Sequence, residues 1–168
     1  MKSKQSNVAP KVMTLDQAVE WRNTLKAQGK KVAVTNGCFD ILHRGHAEYL
    51  QSARNTADAL LVLVNADDSI RQLKGPSRPI CKEQDRAFLL ACLEFIDAVV
   101  IFDSQRCDQE LAALQPDVYV KGGDYTIEKL AAPEREVLQA CGAEFQFIPF
   151  VPGYSTTAVI KLCEGNKS

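Results

Sequence analysis

The sequence predicts an α/β fold, a doubly wound, Rossmann-like sheet of five parallel strands with helices on both faces. Two observations support this fold class. First, the apolar runs at 60–64 and 98–102 show no polar alternation, as expected for strands that are buried on both faces. Second, segments of helical period separate the apolar runs throughout the chain. Regular alternation of strand and helix leads to parallel pairing, with crossover helices covering the sheet.

Most elements are bounded by recognisable start and stop signals. Thr14 and Gln17 form a capping box that opens the first helix, which should end near Gly29. The predicted strands are 31–35, 60–64, 98–102, 118–120 and 144–148. The later predicted helices are 44–56, 67–73, 83–95, 107–114, 134–141 and 156–163.

Two of these helices carry more detailed predictions. Asp67 or Asp68 is expected to cap the helix at 67–73. The helix at 83–95 is expected to turn its larger apolar side chains inward, namely Phe88, Leu89, Cys92 and Leu93.

Length and composition favour a single domain at 13–168, preceded by a flexible lead at 1–12. The net charge of −1 argues against a nucleic-acid or anionic-membrane partner. No apolar stretch approaches the length of a membrane span, and the basic start lacks an apolar signal core, so a cytoplasmic location is expected. The six cysteines form no C-x-x-C pattern and are expected to be reduced thiols.

Both histidines of the chain, His43 and His46, follow the first predicted strand and begin a helix. The N-terminus of a helix attracts anions, and side chains three residues apart share one face. Gly45 between them allows a phosphate to approach the backbone. Two other interpretations of this histidine pair stay open. In the first, both residues only begin the helix. In the second, they bind zinc together with Cys38, although no convincing fourth ligand lies nearby.

Four sequence words extend this observation along the chain. They are TNGCFDILHRGH at 35–46, LKGPSRPI at 73–80, VKGGDYT at 120–126 and VPGYSTT at 151–157. Together they resemble the HxGH nucleotidyltransferases, and most nearly the adenylyltransferase domains that make ADP-heptose. The glycerol-phosphate cytidylyltransferases have a similar Ser-Thr word that follows an arginine, whereas residues 149–152 contain no cation.

The resemblance implies an adenylyltransferase that joins ATP and a sugar 1-phosphate, D-glycero-β-D-manno-heptose 1-phosphate, to give ADP-heptose and pyrophosphate. It also implies Mg²⁺ held mainly through the substrate phosphates, a homodimer, and a separate sugar kinase, since 168 residues leave no room for one. The product would serve lipopolysaccharide core synthesis. The alternatives are a cytidylyltransferase acting on a small phosphoalcohol such as glycerol 3-phosphate, and a nucleotide-binding regulatory module without catalysis.

The resemblance also assigns site residues. The catalytic residues it implies are His43, His46 and Lys74. The implied nucleotide-binding residues are Thr35, Asn36, Gly37, Cys38, Phe39, Gly45, Gly122, Gly123, Asp124, Tyr125, Ser155, Thr156 and Thr157. The implied substrate-phosphate residues are Lys74, on a mobile loop, Arg78 and Arg86. No dedicated metal ligand is expected.

Simpler structural explanations stay open for several of these residues. Asp40 either caps the following helix or binds a metal, and Gly37 is a turn residue or clears a path for the nucleotide. For Ser155 and Thr156 two interpretations stay open, an N-cap alone and a phosphate-facing helix start. A cation at the start of a helix is unfavourable, so Arg86 suggests an acidic partner.

Overall fold

The computed structural model describes residues 9–165 and contains one parallel sheet of six strands. The strands are β1 (Val12–Met13), β2 (Val32–Gly37), β3 (Ala59–Asn65), β4 (Ala98–Phe102), β5 (Val118–Gly122) and β6 (Glu144–Ile148). Their order across the sheet is β1-β4-β3-β2-β5-β6. The α/β fold with a parallel, doubly wound sheet is therefore confirmed.

The predicted number of strands was one too few. The additional strand, β1, pairs with β4 through Val12 and Met13. A strand of two residues is too short to produce an alternating pattern in the sequence. Because Val12 belongs to the sheet, the flexible lead cannot extend to residue 12, while residues 1–8 lie outside the described part of the chain.

Seven α-helices connect and follow the strands in residues 9–165. They are α1 (Leu15–Ala27), α2 (Arg44–Arg54), α3 (Asp67–Lys74), α4 (Glu83–Ala91), α5 (Asp108–Leu114), α6 (Ala132–Ala140) and α7 (Thr156–Gly165). Short 3₁₀ helices occupy Ala9–Lys11 and Ile127–Lys129. The capping box between Thr14 and Gln17 is present at the start of α1, as predicted. Within residues 9–165 no helix has both the length and the apolar character needed to cross a membrane.

The core consists of two apolar layers on opposite faces of the sheet. Alternate residues of β3 enter different layers, with Leu61 and Leu63 on one face and Leu60, Val62 and Val64 on the other. All five side chains are fully buried. Burial on both faces explains the continuous apolar sequence of β3 and confirms that helices cover both sides.

The predicted inward face of α4 was largely wrong. Phe88 and Leu89 are 51% and 46% exposed, and Cys92 is also exposed. The buried stripe is instead Arg86, Ala87, Leu90 and Ala91. The small side chains of Ala87 and Ala91 pack with Leu90 in the core on this face of the sheet, so the neighbouring Phe88 and Leu89 lie on the exposed side of the helix. Leu93 packs partly against the core, as predicted.

The start of α3 also differs from the prediction. Its N-cap is Ala66, and neither Asp67 nor Asp68 caps it with a side chain. The backbone N–H of Asp67 donates to the Glu83 carboxylate at 2.7 Å. The cap is therefore supplied by α4, through a tertiary contact that local sequence does not reveal.

The strand order places a crevice at the carboxyl ends of β2 and β5. The chain proceeds from β2 through β3 to β4 on one side, whereas β5 and β6 lie on the other side of β2. Connections that leave adjacent strands in opposite directions open a crevice between them, where ligands bind in open α/β sheets. The sequence words that end β2 and β5 therefore meet at one place.

Candidate active site

A cleft of about 270 Å³ lies over this crevice, and we call it the histidine cleft. It brings together residues from three of the four sequence words. His43 and His46 come from the start of α2, Lys74 from the end of α3, and Thr156 and Thr157 from the start of α7. Two helix N-termini thus face one cavity, which favours an anionic ligand.

The two imidazoles are stacked in the cleft. Their ring centroids lie 3.8 Å apart, with planes inclined by 14°. His43 is the N-cap of α2, because its Nδ1 accepts from the backbone N–H of His46 at 3.3 Å. Within residues 9–165, His43 Nε2 and His46 Nδ1 are buried and have no hydrogen-bond partner. Leaving buried polar atoms unpaired costs about 1–3 kcal/mol each, so a ligand that pairs with them is favoured.

Burial in the cleft keeps both imidazoles neutral. Desolvation, with smaller contributions from the neighbouring His43 and Lys74, lowers the pKa of His46 to about 4. Desolvation also lowers the pKa of His43 below its ordinary value. At neutral pH each ring therefore carries one N–H donor and one acceptor. A polyanion in the cleft would oppose these shifts and favour the protonated rings.

Lys74 is the last residue of α3, so its predicted position on a loop was off by one residue. The loop begins at Gly75, which has a φ of 95°. Lys74 is exposed, lines the histidine cleft and lies close enough to His46 to lower its pKa. Lys74 and the histidine pair thus face a common space.

The start of α7 supports the capping explanation for its hydroxyl residues. The side chain of Ser155 accepts from the backbone N–H of Ala158 at 3.0 Å, as an N-cap does. Ser155, Thr156 and Thr157 also line the histidine cleft, so capping does not exclude ligand contact. Tyr154 lies beside them, with its ring 6.2 Å from that of His43.

Gly45 has a packing role. A Cβ at this position would lie 2.8 Å from Tyr154 Cβ and 3.2 Å from the His43 ring. Glycine is therefore required for Tyr154 to reach the histidines. The space that was predicted for a phosphate above Gly45 is partly filled by Tyr154.

A second space of about 320 Å³, here called the inner cavity, continues from the histidine cleft towards β2. It is lined by the predicted residues Asn36, Gly37, Cys38 and Phe39. Phe39 is buried with a φ of 47°, and a Cβ on Gly37 would lie 3.0 Å from its ring. Gly37 therefore allows Phe39 to fold back against β2, which agrees with its interpretation as a turn glycine.

Thr35 does not line these cavities. It is fully buried, and its hydroxyl lies 2.7 Å from that of Tyr49. Tyr49 in turn donates to the carbonyl of Val120 at 3.2 Å, so it ties α2 to β2 and β5. Tyr49 lines both the histidine cleft and the inner cavity, although sequence reasoning did not select it. Its position three residues after His46, on the same helical face, could have indicated it.

The paired glycines at the end of β5 accommodate an aromatic ring. A Cβ on Gly123, which has a φ of 91°, would lie 2.3 Å from the Phe150 ring, and one on Gly122 would lie 2.9 Å from it. Phe150 is itself 68% exposed. Gly122 and Tyr125 line the inner cavity, whereas Gly123 and Asp124 do not.

Asp40 neither caps α2 nor has a free carboxylate for a metal. Its carboxylate is buried and accepts from Arg78 Nε at 2.6 Å, from the N–H of Ile80 at 2.8 Å and from the N–H of Cys81 at 2.9 Å. Asp40 therefore connects the segment at 38–43 between β2 and α2, here called the signature segment, to the loop that follows α3. Arg78 is engaged in this contact rather than directed into the cleft.

Arg86 is likewise occupied by the protein, which contradicts its predicted contact with substrate. Its guanidinium is almost fully buried and donates to the carbonyls of Cys81 at 2.9 Å and Cys38 at 2.6 Å. It also pairs with Asp67 at 2.8 Å. Asp67 is the acidic partner that the position of Arg86 suggested, and together they link α4 to α3 and to the signature segment.

Lys121 was not selected by sequence reasoning, although it stands inside the word VKGGDYT. Its Nζ donates to Asn36 Oδ1 at 2.6 Å and lies 5.3 Å from the centre of the Tyr125 ring. The same Asn36 oxygen accepts from the Tyr119 hydroxyl at 2.8 Å. A lysine at the carboxyl end of a central strand could have been recognised as a site residue.

The zinc alternative receives no geometric support in residues 9–165. No group of three or more His, Cys, Asp or Glu side chains there is arranged to hold a metal ion. Cys38, the proposed third ligand, instead directs its Sγ towards Asn65 Oδ1 at 3.9 Å.

Comparison with known proteins agrees with this geometry. The family model described as cytidylyltransferase-like matches residues 34–162, which contain the histidine cleft and the inner cavity. The chain belongs to the cytidylyltransferase-like family. This membership confirms the resemblance to nucleotidyltransferases that the four sequence words indicated.

Relatives within this family share much of the sequence. The bifunctional protein HldE of Hyphomonas neptunium is 44% identical over 163 residues, which cover 97% of this chain and 32% of that protein. The bifunctional protein HldE of Citrifermentans bemidjiense is 49% identical over 135 residues, covering 80% of this chain and 27% of that protein. The chain thus spans about a third or less of the length of these curated relatives.

A solved structure shows the same architecture. The lipopolysaccharide core biosynthesis protein of Thermoplasma volcanium is 26% identical, with a TM-score of 0.59. The match covers 73% of this chain and 98% of that protein. The shared fold is the one that places the histidine cleft at the carboxyl ends of the central strands.

Proposed function

We propose that this chain is an adenylyltransferase that joins ATP to D-glycero-β-D-manno-heptose 1-phosphate and releases pyrophosphate. The class of reaction follows from membership of the cytidylyltransferase-like family. The choice of ATP and of a heptose phosphate is supported by the four sequence words that resemble ADP-heptose-forming enzymes. The similarity to a lipopolysaccharide core biosynthesis protein agrees with that choice.

One observation carries the proposal. His43 Nε2 and His46 Nδ1 are buried without partners, in stacked rings at the start of α2. Lys74 and a second helix N-terminus line the same cavity. The cavity therefore offers a ligand one cationic group and several N–H groups, and no group in residues 9–165 pairs with the two ring nitrogens. A triphosphate is the ligand whose charge and oxygen atoms satisfy these groups.

The proposed reaction is an in-line displacement at the α-phosphorus. An oxygen of the sugar phosphate forms a bond to phosphorus while the bond to the β-phosphate oxygen breaks, and pyrophosphate leaves with the electron pair. His43 and His46 donate hydrogen bonds to the charge that develops on the leaving group, and Lys74 adds a positive charge beside them. Stabilisation by positioned donors is the main contribution to phosphoryl-type transfer, so no covalent intermediate with the protein is needed.

Mg²⁺ fits this site only as an ion held by the substrate. The carboxylate of Asp40, in the segment between β2 and α2, uses its oxygens for Arg78 and two backbone N–H groups. Phosphate oxygens and water would therefore complete the coordination, as is usual for Mg²⁺ with nucleotides. The ion would supply charge neutralisation of the triphosphate.

The nucleoside is proposed to lie over the inner cavity. Gly122 lines this cavity at the end of β5, and the rings of Tyr125 and Phe150 line it as well. Aromatic rings in a cavity suit a planar base. The homodimer, the separate sugar kinase and the cytoplasmic location remain predictions.

A pyrophosphate-release screen tests the proposal. Purified protein is incubated with ATP, CTP, GTP or UTP and with a panel of sugar 1-phosphates that includes the heptose compound, with glycerol 3-phosphate as a further acceptor. We expect the fastest release from ATP with the heptose phosphate. Fastest release from CTP with glycerol 3-phosphate would favour the cytidylyltransferase alternative, and no release from any pair would contradict an enzymatic role.

A further inference from the structure

We propose that Lys121 binds the phosphate of the acceptor, and that the sugar of the acceptor occupies a separate polar cavity beside it. This inference rests on the proposed adenylyl transfer and assigns the second substrate a place. The cavity, here called the side cavity, has a volume of about 430 Å³. That volume lies in the range of about 300–1,000 Å³ that is usual for small-molecule sites.

The side cavity and the inner cavity meet along a shared wall. Asn36, Gly37, Cys38, Lys121 and Tyr125 line both spaces. In contrast, His46 and Lys74 line the inner cavity and do not line the side cavity. A ligand in the side cavity would therefore approach the nucleotide from the side opposite to the histidines.

This arrangement matches the geometry of the proposed reaction. In an in-line displacement the attacking and leaving oxygens stand on opposite sides of the phosphorus. If pyrophosphate leaves towards His43, His46 and Lys74, the acceptor oxygen has to arrive from the shared wall. Lys121 is the lysine that stands at that wall.

The ammonium group of Lys121 is held in place without being neutralised. It donates to the amide oxygen of Asn36 at 2.6 Å, and the rings of Tyr119 and Tyr125 lie within 5.8 Å and 5.3 Å of it. Among the described residues no carboxylate forms an ion pair with it. Asn36 and the tyrosines restrict its position while its charge remains available to an anion, as a phosphate-binding lysine requires.

The rest of the side cavity suits a hydroxylated ligand. Asn65, Gln105, Lys129 and Glu134 contribute amide, ammonium and carboxylate groups to its lining. Glu134 is almost fully buried, with one oxygen 3.3 Å from the backbone nitrogen of Cys107. Fixed donors and acceptors of this kind pair with sugar hydroxyl groups, which explains why a polar cavity adjoins a phosphate-binding lysine.

The test separates the two substrates kinetically. KM for D-glycero-β-D-manno-heptose 1-phosphate and KM for ATP are measured for the wild type and for Lys121→Met, which keeps an unbranched side chain that is one atom shorter and removes its charge. Loss of a charged hydrogen bond predicts a rise of about 10- to 100-fold in KM for the sugar phosphate. KM for ATP should change by less than about twofold, and Lys121→Arg should restore part of the affinity for the acceptor.

Two further variants make the result decisive. Gln105→Trp alters an exposed residue that lines only the side cavity, so the protein should fold normally and lose affinity for the sugar phosphate alone. Lys26→Met removes an exposed lysine at the other end of the sheet and should leave both KM values unchanged. Melting temperatures of all variants show whether the fold is intact.

The outcomes distinguish this inference from the proposed function. An unchanged KM for the sugar phosphate in both Lys121→Met and Gln105→Trp would overturn the inference while the adenylyltransferase assignment stands. An equal rise in both KM values for Lys121→Met would place Lys121 with the nucleotide and also overturn it. A wild-type protein that transfers no adenylyl group to any sugar phosphate would reject the proposed function itself, and this inference with it.

Discussion

Arg86 on α4 donates to the carbonyl of Cys38, 48 residues earlier, at 2.6 Å. The contact fixes the segment between β2 and α2, which leads into the histidine pair, because the same guanidinium is anchored to Asp67 at 2.8 Å. A single buried side chain thus links the signature segment to α3, the helix that ends at Lys74.

Replacing Arg86 with methionine should destabilise the protein. The change leaves Asp67 without its buried partner and the carbonyls of Cys38 and Cys81 without a donor. Breaking a buried ion pair from one side typically costs about 3–5 kcal/mol. Urea unfolding followed by circular dichroism measures the loss in the free energy of unfolding.

A matched control is available on α3. Arg71 pairs with Asp68 on the exposed face of this helix, one turn apart. Arg71→Met should cost less than about 1 kcal/mol, as exposed pairs do. Equal stability losses in the two variants would contradict the anchoring role of Arg86.

His43 should make two contributions that substitutions can separate, one to the capping of α2 and one to catalysis. His43→Asn keeps a side chain that caps a helix well, but removes the unpartnered Nε2 that faces the cleft. We expect a near-normal melting temperature and a decrease in kcat on the order of 10²–10³-fold, as for other positioned donors. His43→Ala should show the same kinetic loss together with a lower melting temperature. Wild-type turnover in His43→Asn would leave only the capping role.

His46 should make the folded protein sensitive to acid. Its pKa is about 4 in the folded protein, against about 6.5 when the chain is unfolded. Between these values the unfolded chain binds more protons, so the stability contributed by neutral His46 is present above pH 6.5 and is lost as the pH falls towards 4. The free energy of unfolding should therefore decline more steeply over this interval in the wild type than in His46→Asn. Parallel pH profiles for the two proteins would refute a depressed pKa at His46.

Lys74 should act on turnover without supporting the fold. It is exposed at the end of α3, beside the histidine pair, so Lys74→Ala should lower kcat with little change in melting temperature. Lys74→Arg should rescue activity only in part, because a planar guanidinium places its charge differently from an ammonium. The loop that begins at Gly75 is expected to close when both substrates bind. Full activity in Lys74→Ala, together with equally fast proteolysis near Lys74 with and without substrates, would show that Lys74 has no role in the reaction.

The sequence predicted best those features that depend on local pattern. The buried strands β3 and β4 were located within a residue because their apolar runs are continuous. The capping box of α1 was identified because both partners lie within one turn. The position of the histidine pair at a helix start after β2 was predicted because a strand, a glycine and a helix start follow each other directly, and both rings line the histidine cleft.

Features that depend on tertiary contacts were missed. β1 is too short to show a pattern, and its partner β4 lies far away in the chain. Arg86 looked available to a substrate because its carboxylate partner, Asp67, comes from a different helix. Lys121 was overlooked beside the more conspicuous glycines, although the pairing of β5 with β2 brings it to Asn36.

The preference between nucleotides tests the central claim most directly. The claim is that the histidine cleft and the inner cavity bind ATP for transfer to a heptose 1-phosphate. kcat/KM is measured for ATP and for CTP with D-glycero-β-D-manno-heptose 1-phosphate as acceptor, and the product is identified by mass spectrometry. We predict a higher kcat/KM for ATP, with ADP-heptose and pyrophosphate formed in equal amounts. A clear preference for CTP, or pyrophosphate release without a nucleotide-linked sugar, would contradict the account.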